Sequence, residues 1–250
     1  MSDEGAAIAG RAAAAAARTV AAGTARLFCA WSEDSPVPRA QDRRCEGVAD
    51  LAARRARVWQ AVLFNERMTA EFVQRHHDEE GVGELSEPQE VIYDGANAFI
   101  RVAGRWTGFF LGDPGGPRGP HDPLWPLDAL FGARDDAVEI GREAIRGVAA
   151  TRCSLTLDLA RADAALPAGV SVPAGPYRAL RAMPAEVWLD AAGLARRVAV
   201  SADLATASGE QAWTIVELWD FGTAVDITPP CPDEVVPPSE AYQDAREPGA

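Results

Sequence analysis

The sequence predicts an α+β fold in which a strongly curved antiparallel sheet, an unclosed half-barrel of about 8–11 strands, packs against a few helices. Short apolar stretches alternate with polar residues at a period of two through most of the chain. Glycine, asparagine and aspartate separate consecutive stretches, and strands joined by such short turns pair antiparallel. The apolar strand faces exceed what the few helical segments can cover. The sheet must therefore close on itself or keep an apolar hollow, which would be a ligand site.

The N-terminal part of the chain predicts a helix followed by strands. Residues 4–22 are dominated by alanine, the strongest helix former, and Gly23 can end the helix. Residues 24–31 predict the first strand, and the prolines after it predict a loop to residue 41. Hairpins are then predicted over residues 44–64 and 88–102, separated by a short helical turn and an acidic loop.

The middle of the chain predicts one further strand, a loop and a helix. Residues 105–111 continue the strand pattern, and the glycines and prolines of 112–120 predict a loop. Asp122 is predicted as the N-cap of the next helix, with Pro123 at its first position and Gly132 at its end. Further strands and short helical pieces are predicted over residues 138–148, 151–159, 160–165, 176–182 and 212–221.

The clearest hairpin covers residues 184–201. Val187 and Leu189 alternate with Trp188, which is the pattern of a half-buried strand. Residues 190–193 supply the turn, because Gly193 can adopt a positive φ. We therefore expect this hairpin to form part of the wall of the sheet.

Composition excludes several classes of function. All 24 basic residues are arginine, which removes the lysine of phosphate-binding loops, pyridoxal enzymes and kinases. The formal charge of −13 argues against nucleic acid and anionic membrane surfaces as partners. No apolar run is long enough for a transmembrane segment, and the acidic start differs from a signal peptide. The sequence as written therefore predicts a cytoplasmic protein.

No group of residues predicts catalysis, a metal site or a cofactor. The segment His76-His77-Asp78-Glu79-Glu80 is predicted to be an exposed acidic loop, since adjacent histidines point to different sides of the backbone. His121 is predicted as a loop residue, and the sequence has no nucleophile elbow. The four cysteines lack metal-ligand spacing and are predicted to be buried, reduced thiols: Cys29, Cys45, Cys153 and Cys231.

Seven tryptophans fall mostly on predicted strands. They can serve core and cross-strand packing, or several of them can line an apolar cavity. Trp125, in the helix that would cover the sheet, is the best single candidate for the second role. The residues predicted to line the hollow are Trp31, Phe99, Trp106, Phe109, Trp125, Leu127, Leu130, Leu157, Val187 and Leu189.

The order and spacing of several segments resemble a known family. Residues 145–159, 183–197 and 217–230 follow one another as in actinobacterial lipoproteins of the LppX/LprG kind, and three earlier segments also fit: 47–55, 91–95 and 122–127. The resemblance covers roughly residues 18–237 and implies the fold of the LolA-like lipoprotein carriers. It also implies binding or carriage of acylated lipid and no catalysis. The sequence as written departs from that family by lacking a signal peptide and a lipidated cysteine.

These observations predict a single domain over residues 1–237 and a loose tail over 238–250. The predicted function is non-enzymatic binding of a lipid or another apolar molecule between the sheet and the helices. The alternative is a cytosolic protein-interaction or regulatory module, with a protein partner and a core filled by its own side chains.

Overall fold

The computed structural model describes residues 3–32, 42–63, 87–95, 97–111, 122–167, 170, 172, 180, 182–203 and 211–246. Within these residues a twelve-stranded sheet combines with four helices. The sheet is unclosed and almost entirely antiparallel, which confirms the predicted α+β half-barrel class.

The helices and strands follow in chain order. The helices are α1 (Asp3–Ala21), α2 (Trp125–Ala129), α3 (Leu159–Ala165) and α4 (Pro238–Arg246). The strands are β1 (Thr24–Ser32), β2 (Asp42–Asp50), β3 (Arg55–Leu63), β4 (Gln89–Asp94), β5 (Asn97–Val102), β6 (Arg105–Leu111), β7 (Val138–Ile145), β8 (Val148–Leu157), β9 (Met183–Asp190), β10 (Ala195–Asp203), β11 (Gln211–Trp219) and β12 (Val235–Val236). Two 3-10 turns complete the set, Leu130–Gly132 and Pro232–Glu234.

The sheet consists of two meanders that meet in its middle. Its strand order is β12-β6-β5-β4-β3-β2-β1-β11-β10-β9-β8-β7. Strands β1 to β6 form one meander and β7 to β11 the other, and the pairing of β1 with β11 joins them. Strand β12 adds to β6 in the parallel direction, whereas the other neighbours are antiparallel.

Helix α1 confirms the helix predicted over residues 4–22. Its buried side chains, among them Ile8, Ala12 and Ala16, recur at helical spacing. Gly23 follows the helix with a φ of 83°, a left-handed conformation that glycine adopts without steric cost. The helix packs against β7, β9, β10 and the first 3-10 turn.

The helix predicted to begin at Asp122 begins later. The Asp122 carboxylate accepts a hydrogen bond from the backbone N–H of Leu124 at 2.8 Å, and α2 starts at Trp125 with no side-chain cap. With Asp122 as the N-cap, its carbonyl would need an N–H from residue 126, which is a proline. Pro126 instead occupies the first turn of α2, where no N–H is needed.

The predicted loose tail is a helix over most of its length. Helix α4 spans Pro238–Arg246 and packs against β5 and β6. Ala241 is fully buried, and Arg105 forms an ion pair with Glu240 at 2.6 Å. Because β12 adds to the sheet edge just before it, the chain is already held beside β6 when α4 begins.

Two of the four predicted thiols form a disulfide. Cys29 of β1 and Cys45 of β2 are direct cross-strand partners with their Cα atoms 5.1 Å apart, a separation that suits a disulfide. The prediction of reduced thiols was wrong for this pair, because the spacing along the chain does not reveal the strand register. Cys153 is a buried free thiol as predicted, whereas Cys231 is an exposed free thiol, so the prediction of burial was wrong for it.

The hairpin of β9 and β10 is more buried than predicted, because part of the face that was expected to meet solvent is covered. Gly193 has the expected positive φ of 74° in its turn. However, Trp188 and Arg197 are at most 3% exposed. Ile145 and Ala150, from the β7–β8 hairpin, pack with Trp188 and so lie against the face that was expected to meet solvent.

Several predictions lie outside the described residues. They are the loop after β1, the helical turn and acidic loop with His76 and His77, the glycine-rich loop with His121, and, apart from residues 180 and 182, the helical piece over residues 176–182.

Gly47 in β2 lies where the neighbouring strand β3 leaves no room for a side chain. A Cβ there would collide with the carbonyl oxygen of Arg57 and lie 2.7 Å from the Cα of Val58. We expect Gly47→Ala to lower the free energy of unfolding by about 1–3 kcal/mol, measured by urea denaturation. Gly141→Ala is the matched control, because a Cβ added at Gly141 would have no neighbouring atom within 4 Å. This substitution should change the free energy of unfolding by less than about 0.5 kcal/mol. Equal effects of the two substitutions would contradict this.

Candidate functional site

One face of the sheet, the inner face, packs against the helices. Successive side chains of a strand point to opposite faces, and alternate residues such as Leu27, Val58, Leu157 and Val187 bury themselves on the inner face. They form one apolar cluster with side chains of α1, α2 and α3. We call this set the inner-face cluster, and the opposite side of the sheet the outer face.

The structure brings most of the predicted lining residues together. Strand residues and residues of the α2 region meet in the inner-face cluster, and each is at most 7% exposed. The predicted residues found there are Trp31, Trp125, Leu127, Leu130, Leu157, Val187 and Leu189. Their role in lining a ligand site stays a prediction.

The structure does not bring the remaining three residues into this cluster. Trp106 is the cross-strand partner of Arg101, and Phe99 lies two positions before Arg101 on the same strand. Between them is Ile100, which belongs to the inner-face cluster, so Phe99 and Trp106 lie on the outer face. The side chain of Phe109 lies outside the described residues.

Few polar contacts tie the helices to the sheet within the described residues. The backbone N–H of Ala195 in β10 donates to the buried hydroxyl of Thr19 in α1 at 2.9 Å. Arg54, in the turn between β2 and β3, forms an ion pair with Asp128 of α2, whose side chain is 3% exposed. These contacts fix the position of α1 and α2 over the inner face, while the surface between them is apolar.

Two polar groups of the inner face are a tyrosine and a free cysteine. The Tyr93 hydroxyl donates to the Gln60 carbonyl oxygen at 3.2 Å. Burial raises the pKa of the Cys153 thiol above its ordinary value, opposed by Arg11 and assisted by Glu139, so that this cysteine is a neutral thiol and a poor nucleophile. Across the described part of the chain, no three His, Cys, Asp or Glu residues gather as metal ligands.

An ion-pair network on the outer face was missed in the sequence. Glu217 and Arg197 are buried and joined by an Nε–Oε1 hydrogen bond of 2.8 Å. Arg146 donates to the same carboxylate at 3.1 Å and stacks 4.0 Å from the centroid of the Trp219 ring. The only signal was that Arg197 and Glu217 occupy alternating positions within apolar strands.

No helix in the described part of the chain has the length and apolarity to cross a membrane. No family model matches the sequence, and no curated protein is significantly similar to it.

Solved structures do resemble this chain. LprF from Mycobacterium bovis is similar with a TM-score of 0.50 and 13% identity, over 92% of this chain and 98% of LprF. The lipoprotein LppX from Mycobacterium tuberculosis has a TM-score of 0.44 and 14% identity, over 87% of this chain and 98% of LppX. A LolA superfamily protein from Nitrosomonas europaea has a TM-score of 0.31 and 8% identity, over 86% and 98%. The likeness to LprF confirms the fold that the sequence resemblance implied.

Proposed function

We propose that this protein binds an apolar ligand, a lipid or an acyl chain, between the inner face of the sheet and its helices. The observation that carries the proposal is the inner-face cluster itself, which extends over strands of both meanders and includes side chains of α1, α2 and α3. The fold likeness to LprF supports it. The proposed activity is binding, without a chemical step.

The chemistry of the cluster suits an acyl chain. Its side chains are aliphatic and aromatic, so a ligand there gains the transfer free energy of its own methylene groups, about 0.8 kcal/mol for each one buried. The hydrogen bond between Thr19 and Ala195 and the ion pair between Arg54 and Asp128 hold the helices against the sheet without placing a charge in the middle of the cluster.

The same burial supports a second candidate function. Since Leu157, Val187 and Trp125 are at most 1% exposed, uptake of a ligand requires the helices to separate from the sheet. A core that stays closed would instead make the protein an interaction or regulatory module.

Two measurements test the binding proposal. Solvent extraction of the purified protein, followed by mass spectrometry, should find co-purified lipid, and a dansyl-labelled fatty acid should bind with increased fluorescence. Val187→Trp fills the inner face and should weaken probe binding by about tenfold or more. Val48→Trp is the matched control on the outer face of β2 and should leave binding unchanged.

Circular dichroism and thermal melts establish that both variants are folded. If the wild-type protein contains no lipid and takes up no probe, the binding proposal fails. The second candidate function, an interaction or regulatory module with a closed core, is then favoured. Equal loss of binding in both variants would also contradict a site on the inner face.

A further inference from the structure

A shallow groove lies on the outer face of the sheet, away from the inner-face cluster. It has a volume of about 380 Å³ and lies where β3, β4 and the β5–β6 turn meet. Its lining includes Trp59, Pro88, Gln89, Glu90, Arg101 and Gly104. Trp59 is 48% exposed, so much of its indole surface is available to a ligand.

Cross-strand register places aromatic and charged side chains in one row along this groove. Trp59 of β3 is the direct partner of Glu90 of β4, and Arg101 of β5 is the direct partner of Trp106 of β6. Arg101 joins the two pairs by an ion pair with Glu90 at 3.2 Å. The row therefore reads Trp, Glu, Arg, Trp across four neighbouring strands.

The charges of the groove are already paired with each other. The Glu90 carboxylate, with only 10% of its side chain exposed, accepts hydrogen bonds from Arg57 at 2.7 Å and from Arg101 at 3.2 Å. Arg101 also donates to the carbonyl oxygen of Gly104 at 3.4 Å, and it keeps the rest of its five N–H donors for a ligand. The carboxylate in the middle of the row and the net charge of −13 disfavour an anion.

The guanidinium groups also hold the indole rings in position. Arg57 lies 5.7 Å from the centroid of the Trp59 ring, and Arg101 lies 5.7 Å from that of Trp106. Such stacking restrains the exposed tryptophan side chains, which could otherwise change rotamer freely in solvent. The groove is therefore an ordered surface with an aromatic plate beside paired polar groups.

We propose that this groove binds a neutral pyranose glycan. A pyranose ring has an apolar C–H face that can cover an indole plate, and its hydroxyl groups both donate and accept hydrogen bonds. Trp59 supplies the plate, Arg101 the donors, and Glu90 and Gln89 the acceptors. An apolar ligand would displace water from the remaining N–H groups of Arg101 and from the Gln89 amide without replacing its hydrogen bonds, whereas a neutral sugar can replace them.

Trp106 gives the site a second aromatic plate. It lies three strands from Trp59, which corresponds to about 14 Å at the spacing of neighbouring strands. One sugar unit cannot reach both rings, but a longer chain lying across the strands can. The site therefore takes an oligosaccharide in preference to a monosaccharide, and it is independent of the apolar site of the inner face.

The test is isothermal titration calorimetry with neutral cello-, malto-, manno- and chito-oligosaccharides as probes, each as the disaccharide and the hexasaccharide. We expect at least one series to bind, with the hexasaccharide tighter than the disaccharide. Trp59→Ala should weaken binding of both lengths by about tenfold. Trp106→Leu should weaken binding of the hexasaccharide alone.

Tyr242→Ala provides the control, because Tyr242 is an exposed aromatic residue of α4 outside the groove, and it should change neither affinity. Thermal melts should show that the exposed Trp59 can be replaced without loss of folding. Absence of binding to all four series would overturn the proposal. Binding that survives Trp59→Ala would overturn it as well.

Discussion

Glu217→Gln is expected to lower the free energy of unfolding by about 3–5 kcal/mol, because it removes the charge that balances a buried arginine. The Glu217 and Arg197 side chains are 1% and 3% exposed, and Arg146 contacts the same carboxylate. Glutamine keeps the shape of the side chain, but the buried Arg197 guanidinium then has only the Glu143 carboxylate as a charged partner, at 3.3 Å and with its side chain 40% exposed. Urea denaturation of the two proteins measures the difference.

Glu186→Gln is the matched control for this prediction. Glu186 forms a bidentate pair with Arg152 on the same face of the sheet, with side chains that are 27% and 33% exposed. Solvent can compensate for the lost charge there, so we expect a loss of less than about 1 kcal/mol. Similar losses at both sites would show that burial does not set the strength of these ion pairs.

Removal of the Cys29–Cys45 disulfide is expected to lower the free energy of unfolding by about 3 kcal/mol, because the bridge closes a loop in the unfolded chain. The two cysteines are separated by 16 positions in the sequence. The double variant Cys29→Ala/Cys45→Ala and the wild-type protein in dithiothreitol should lose similar stability in denaturant titrations. The double variant should not respond to the reductant, and Cys231→Ala should behave as the wild-type protein. A wild-type protein whose stability is the same with and without reductant would contradict the prediction.

The disulfide also bears on where the protein folds. Disulfides persist in oxidising compartments and are rare in the cytosol. We therefore propose that this protein forms its Cys29–Cys45 bridge outside the cytosol, in contrast to the expectation from the start of the sequence. Counting alkylated thiols by mass spectrometry tests this, in protein taken directly from its source cells and labelled after denaturation without reductant. Labelling confined to Cys153 and Cys231 supports the proposal, and labelling of all four cysteines overturns it.

The local part of the fold could be predicted from the sequence, because hairpins are encoded by neighbouring residues. The turn at Gly193 lies where its residue type indicates, with a φ of 74°. The start of α2 could also have been found, since Pro126 cannot donate to the carbonyl of Asp122. The polar pattern alone did not reveal it.

The non-local part could not be predicted in the same way. The Cys29–Cys45 pair depends on the register of β1 against β2, and Trp188 is buried by a hairpin that arrives from elsewhere in the chain. The same reason explains the candidate site. Strand alternation predicted Leu157 and Val187 on one face, but it did not show that Phe99 and Trp106 lie on the other, because alternation within one strand does not fix its register against the next.

The pairing of β1 with β11 has a consequence for how the chain folds. Strand β1 is made first yet lies in the middle of the sheet, and its second neighbour is complete only when residues 211–219 leave the ribosome. Until then, the first meander presents β1 as an unpaired edge, the kind of surface that pairs wrongly with other chains. Local hairpins form early, and a contact between such distant segments forms late because it closes the longest loop. We therefore expect the β1–β11 pairing to form late, with the β1 edge open to aggregation until it does.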